Sequence, residues 1–293
     1  AIAYGGWHID THPPGGVDAI DEEPCTQHRV PKLYDIPLRA CISRNRANLM
    51  FAGRNISATH IAFASTRVMA TCAAIGQGVG TAAALAVQRK LAPSQLAGNA
   101  DFVRALQQQL LRDDAYLIGL ENDAIGDFAR TAKISAASFA VGGEPTNIVS
   151  GQTRSVHGEK GAPIDRARPG THRWLSDPSQ PLPQSLELAW PAPIAARRVQ
   201  LIFDTGMSRP LTFTLADGYA RMMTWGIPQP ETVRDYQIEV FINGAWHTVA
   251  EVTGNYQRRR VHDLTTSAFS ALRITVTATN GAPEARIFEV RVE

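Results

Sequence analysis

Asn48-Leu49-Met50-Phe51-Ala52-Gly53-Arg54-Asn55-Ile56-Ser57-Ala58-Thr59-His60, with the small-residue run from Ser65 to Lys90 behind it, decides how this 293-residue chain is read. The apolar run 48–52 predicts a strand, Gly53-Arg54-Asn55 a sharp turn, Ile56 to His60 a polar loop, and 65–90 one long helix. Strand, glycine turn, loop and helix are the parts of a nucleotide or flavin site in an open α/β domain. A helix start offers unpaired N–H groups and the positive end of its dipole to electron-rich ligand atoms. The same order also builds α/β domains that hold no cofactor. Gly53 allows close backbone approach to a ligand, or is an ordinary turn. Ser57, Thr59 and Ser65 are N-cap candidates. Within the helix, Ala73, Gly76, Gly80 and Ala84 share a narrow small-residue face, which favours close packing over phosphate contact. Gln77 is the long polar residue of that stretch.

The motif Asn48 to His60 resembles the "NLxxAGRxxSxxH" segment of a family of bacterial FAD-dependent oxidoreductases. Ser65-Thr66-Arg67-Val68-Met69 with Gly76-Gln77-Gly78-Val79-Gly80-Thr81-Ala82-Ala83 is similar to that family's closing helix. Gly5-Gly6-Trp7-His8-Ile9-Asp10-Thr11-His12 and Tyr34-Asp35-Ile36-Pro37-Leu38-Arg39-Ala40-Cys41 agree with it upstream. The resemblance implies FAD as cofactor and hydride transfer between an organic substrate and the flavin. Gly53, Arg54, Asn55, Ser57, Thr59, Ser65 and Gln77 are then the cofactor-binding candidates. Arg54 stands where many flavoproteins carry an Asp that binds the ribityl chain; the departure argues against ribityl binding by this side chain, although an Arg could serve the pyrophosphate. In such proteins a strand–GxGxxG–helix grips the dinucleotide. Gly76, Gly78 and Gly80 lie inside a helix instead. The expectation is therefore the C-terminal part of a longer polypeptide, inactive by itself and holding FAD only together with its missing N-terminal portion.

His8, Asp10 and His12 alternate and would share one face of an extended segment. They read either as a metal or catalytic cluster or as a polar strand edge; no metal site is assigned. His12 and His60 are the acid/base candidates, since imidazole suits proton transfer beside a hydride acceptor. His8 and Arg39 are substrate candidates, with Arg39 able to fork onto a carboxylate or pair with a surface acid.

Composition is that of an ordinary folded protein, 44% hydrophobic and 19% charged. A net charge of +2 gives no case for a nucleic-acid partner. No apolar run approaches the ~20 residues of a membrane span. Cys25, Cys41 and Cys72 form no CxxC pair and leave the compartment open.

Phe102, Val103, Leu106, Leu110 and Leu111 mark an amphipathic helix over 101–112. From about Phe128 the pattern becomes short alternating strands: 199–204, 211–215, 236–242, 247–252, 272–276 and 285–292, with Asn243-Gly244 as a hairpin turn. Trp174, Tyr236 to Trp246, Arg260 to Leu264 and Ile287 to Val290 resemble the discoidin or galactose-binding-like jelly roll. Such a domain either binds a glycan on an aromatic platform, for which Trp225, Tyr256, Arg258, Arg259 and His262 are candidates, or only packs beside its enzyme. The predicted class is α+β and multidomain: a partial α/β flavoprotein segment at 1–98, a helical linker at 99–128, and an antiparallel β-sandwich at 129–293. The rival function is a carbohydrate- or surface-binding module.

Overall fold

A computed structural model describes residues 1–123, 125–156, 168–207, 226–266 and 268–293. They form two compact units, one built on Ala1–Asn122 and one on Asp123–Val156 with Gly170–Glu293.

In the first unit, β1 (Ala3–Gly5) pairs antiparallel with β4 (Tyr34–Ile36), and β2 (Ile9–Thr11) with β3 (Thr26–His28). Helices α1 (His60–Thr66), α2 (Met69–Gln88) and α3 (Ala100–Arg112) follow. The spacing of Phe102, Leu106 and Leu110 puts all three on one face of α3, where they are fully buried with Ile75 and Ala82 of α2, Ile2 just before β1 and Ile36 of β4. Each such side chain stabilises the unit by roughly 1.5–3 kcal/mol. Asn99 caps α3 by accepting from Phe102 N at 2.9 Å. The helix is thus part of the first unit's core.

Three local expectations change. The run 48–52 is not a strand; it makes a single antiparallel bridge, Ile42 to Met50, with Phe51 N donating to Cys41 O at 2.8 Å. The four apolar residues Leu49 to Ala52 run directly into the Gly53 turn, whose φ of +88 takes the chain out of the extended conformation. The helix drawn from 65 to 90 is two helices, because Val68 is extended (φ −71, ψ 149) between them. Cys72 Sγ lies 3.5 Å from Arg67 O and 3.7 Å from Thr66 O, covering carbonyls that the break leaves without helical partners. The small-residue face is also displaced. A Cβ on Gly78 would lie 2.7 Å from Ile2 O, whereas Gly76 and Gly80 face open space. Gly78 is where α2 meets β1.

By length and composition α2 could cross a bilayer, with a mean hydropathy of 1.4. The expectation of no spanning run did not allow for it. Its Ile75, Ala82 and Ala86 sit in the first unit's core, and a core helix meets the same two criteria.

The second unit is an antiparallel sandwich, as predicted. Among the described residues one sheet has the order β10-β9-β12-β7-β5 and the other β11-β8-β13-β6. The strands are β5 (Lys133–Ala136), β6 (Trp174–Leu175), β7 (Gln184–Ile194), β8 (Arg198–Phe203), β9 (Val233–Ile242), β10 (Ala245–Val252), β11 (Arg259–Asp263), β12 (Phe269–Thr279) and β13 (Arg286–Val292). Alternation sends Leu186 and Leu188, Ile238 and Val240, and Ile274 and Val276 inward against Val199, Leu201 and Val290. Asn243 and Gly244, at φ 50 and 85, make the two-residue turn between β9 and β10. Trp174 is buried with its indole N–H on Ser138 O at 3.0 Å. Asp127 accepts from Ala129 N and Val292 N, both at 3.0 Å, tying the start of the unit to its last strand; burial raises its carboxyl above the ordinary carboxylate range. The strand expected at 211–215 lies outside the described residues.

Candidate functional site

The first unit closes on itself through the residues after β1 and the junction of α1 with α2. Ser65 Oγ donates to Trp7 O at 2.6 Å, so the Tyr34 hydroxyl beside it is the donor of the Tyr34–Ser65 bond. Burial pushes the Tyr34 phenol up and keeps it protonated, as a donor must be. Ser65 is therefore a cross-link. The N-cap of α1 is Thr59, whose Oγ1 accepts from Ala62 N at 3.3 Å.

Two residues on, Arg67 reaches β2. Its Nη2 donates to Asp10 Oδ2 at 3.0 Å, to Asp10 O at 3.3 Å and toward His12 Nε2 at 3.2 Å. Guanidinium has no acceptor, so Nε2 carries the lone pair. His12 Nδ1 lies 2.8 Å from Pro24 O, which can only accept, so Nδ1 carries the proton. Cys25 completes the cluster by donating its thiol to Asp10 Oδ1. That bond, with the Arg67 charge beside it, holds the Asp10 carboxyl below its usual range, and the same bond raises the Cys25 thiol. The result is a partly exposed network, with Arg67 and Asp10 side chains at 22% and 17% exposure.

The structure therefore brings Asp10, His12 and Ser65 toward one junction but leaves the other candidates apart from it. His8 is exposed and meets Trp7 edge-on at 6.0 Å between ring centroids. His60 opens α1 on the surface, and Arg39 is exposed in the turn Leu38–Cys41; neither side chain has a polar partner among the described residues. Gly53 adopts φ +88, a conformation that favours glycine. Arg54 stacks over the Phe63 ring at 5.1 Å. Ser57 N donates to Ala40 O at 2.7 Å, Asn55 is exposed, and Gln77 is exposed on α2. Arg67 and Cys25 are the site residues that sequence reasoning missed. Arg67 lay inside the quoted Ser65 to Met69 motif, but a continuous helix gave no reason for it to point back to Asp10.

In the sandwich, Tyr256 is 66% exposed beside an open groove of about 460 Å³ lined by Thr205, Ile227, Pro228, Gln229 and Thr232. Its proposed companions are turned elsewhere. Arg258 donates to Phe203 O at 2.9 Å and to Thr153 O, and stacks on Phe288. His262 Nε2 lies 2.8 Å from the Tyr236 hydroxyl. Burial keeps that hydroxyl protonated and lowers the His262 pKa, so tyrosine is the donor. Arg259 donates to Gln200 Oε1 at 3.0 Å. Trp225 lies outside the described residues.

Residues 1–110 match the family model of FAD dependent oxidoreductases. No curated protein matches the chain. Solved structures similar to it include a family 32 carbohydrate-binding module from C. perfringens NanJ in complex with galactose, at 16% identity and TM-score 0.39, over 56% of this chain and 94% of that one. A chitosan-binding module from a Paenibacillus chitosanase/glucanase gives 16% and 0.41, over 58% and 99%. The family 32 module of Streptococcus pneumoniae EndoD gives 17% and 0.40, over 57% and 99%.

Proposed function

We propose that the first unit forms one wall of a flavin site in a FAD-dependent oxidoreductase that passes hydride between an organic substrate and the flavin. The observation that carries this reading is the family match over residues 1–110, which spans every element that closes on the Ser65–Arg67 junction. FAD, when bound, supplies the redox chemistry, and the chain supplies position and electrostatics. The residues of the loop fit such a neighbour. Gly53 puts backbone where a side chain would be strained, and Asn55 and His60 present uncommitted polar groups to solvent. Arg54, Ser57, Thr59 and Ser65 hold the loop and helix start around them, and Gln77 stands exposed on α2. The dinucleotide grip comes from polypeptide outside this unit, and the 293 residues alone do not turn over substrate.

His60 is the stronger acid/base candidate because its imidazole is open to solvent. His12 has both ring nitrogens engaged, so it acts in proton transfer only where Arg67 moves off Nε2. Arg39 and His8, both exposed, are the substrate-facing candidates. The test is made on the full natural gene product. It should purify with flavin absorbance or take up added FAD, and His60→Ala should slow flavin reduction by about 10²-fold or more. A colourless product that binds no FAD overturns the reading, and an unchanged reduction rate removes His60.

One observation favours a second reading for the sandwich. Tyr256 presents an exposed ring beside an open groove that also offers Thr205, Gln229 and Thr232, a combination on which a sugar face can stack. A glycan array with the chain and its Tyr256→Ala variant decides it. Hits lost in the variant support a carbohydrate-binding module, and a silent array leaves the sandwich as a packing domain.

A further inference from the structure

We propose that Asp10, His12 and Cys25 form a zinc-binding tripod whose metal-free state is closed by Arg67. The inference does not depend on the flavin reading. In the β2–β3 ribbon Ile9 pairs with His28, Asp10 with Gln27 and Thr11 with Thr26. Continuing that register sets His12 opposite Cys25, and the two-residue repeat of a strand puts Asp10 on the same face as His12. One ligand atom from each of the three lies within 4.8 Å of the other two.

The donor set is a thiol, an imidazole and a carboxylate, three ligands that leave a fourth tetrahedral position to water. The imidazole is oriented for the task. His12 donates Nδ1–H to Pro24 O at 2.8 Å, the outer contact by which proteins fix a metal-binding histidine, and this leaves Nε2 as the donor atom. Nε2 and Asp10 Oδ2 already face a positive charge, the Nη2 of Arg67 at 3.2 and 3.0 Å. A cation is thus held where a metal ion would sit. Binding exchanges one cation for the other. Arg67, which is 22% exposed, withdraws toward water, and Cys25 binds as thiolate while its proton, now donated to Asp10, passes to solvent.

Cobalt(II) is the probe, added to the chelator-treated 293-residue chain. The expected result is a sulfur-to-cobalt charge-transfer band that saturates at one equivalent and is bleached by Zn²⁺. Cys25→Ser should abolish the band with Cys41 and Cys72 intact, and His12→Ala should weaken binding. Arg67→Gln should tighten it, since the competing cation is gone; circular dichroism checks that each variant is folded. Absence of the band from the unmutated chain overturns the site, even where Arg67→Gln shows one, because the native arginine then excludes metal. A band that survives Cys25→Ser overturns it as well.

Discussion

Gly5 shows how one missing side chain holds the first unit's junction together. It pairs with Tyr34 across β1 and β4, and a Cβ there would lie 2.5 Å from the phenol ring and its hydroxyl. The ring cannot swing away without leaving Ser65, which in turn holds Trp7 O. Gly5→Ala should therefore destabilise the first unit by about 1–3 kcal/mol, the usual scale of overpacking. Urea denaturation followed by Tyr and Trp fluorescence measures it. A free-energy change near zero would mean that the Tyr34–Ser65–Trp7 contact does not constrain the unit. Arg67 teaches a related lesson. Its role comes from a single nitrogen shared among Asp10 and His12, and that sharing settles which nitrogen of His12 bears the proton.

Among the elements, α2 separates two kinds of helical glycine. Gly78 is buried with Ile2 O at 2.7 Å from its would-be Cβ, so Gly78→Ala must push α2 off β1 and should cost about 1–3 kcal/mol. Gly80 faces open space, and Gly80→Ala should instead stabilise by about 0.5–1 kcal/mol through the unfolded chain's lost freedom. Thermal melts of the two variants should move in opposite directions, and a shared direction would refute the packing assignment. In β13 the pair Glu289–Arg291 is buried at 2.7 Å, with Arg291 at 1% exposure. Glu289→Ala strands a guanidinium in the protein interior and should cost about 3–5 kcal/mol. A loss below about 1 kcal/mol by chemical denaturation would show that water reaches Arg291.

On the scale of the whole molecule, each unit carries its own apolar core, and the sandwich also carries a pH limit. Burial pushes the Tyr236 hydroxyl up to about 12, above the ~10 of an unfolded tyrosine. A folded pKa that is raised means a stabilising contribution fully present below about pH 10 and lost as pH climbs through 12. Alkaline unfolding of the sandwich should fall in that window, and Tyr236→Phe should remove this part of the pH dependence. Circular dichroism against pH tests it; identical alkaline profiles for the two proteins would reject the assignment.

The α+β class, the antiparallel sandwich, the amphipathic α3 and the Asn243-Gly244 turn were all legible in the order of residues. All of these rest on local periodicity or on turn chemistry within a few residues. The FAD-dependent oxidoreductase resemblance was legible from motifs in order, and residues 1–110 match that family. Tertiary structure alone decided that 48–52 has no lasting strand partner, that the helix breaks at Val68, and that Gly78 rather than Gly76 or Gly80 is the close contact. It alone joined Arg67 to Asp10 and His12 across more than fifty residues of chain. Periodicity reports which face of a segment is apolar, but it carries no information on which distant segment that face meets or how far one helix must stop short to let an arginine turn back.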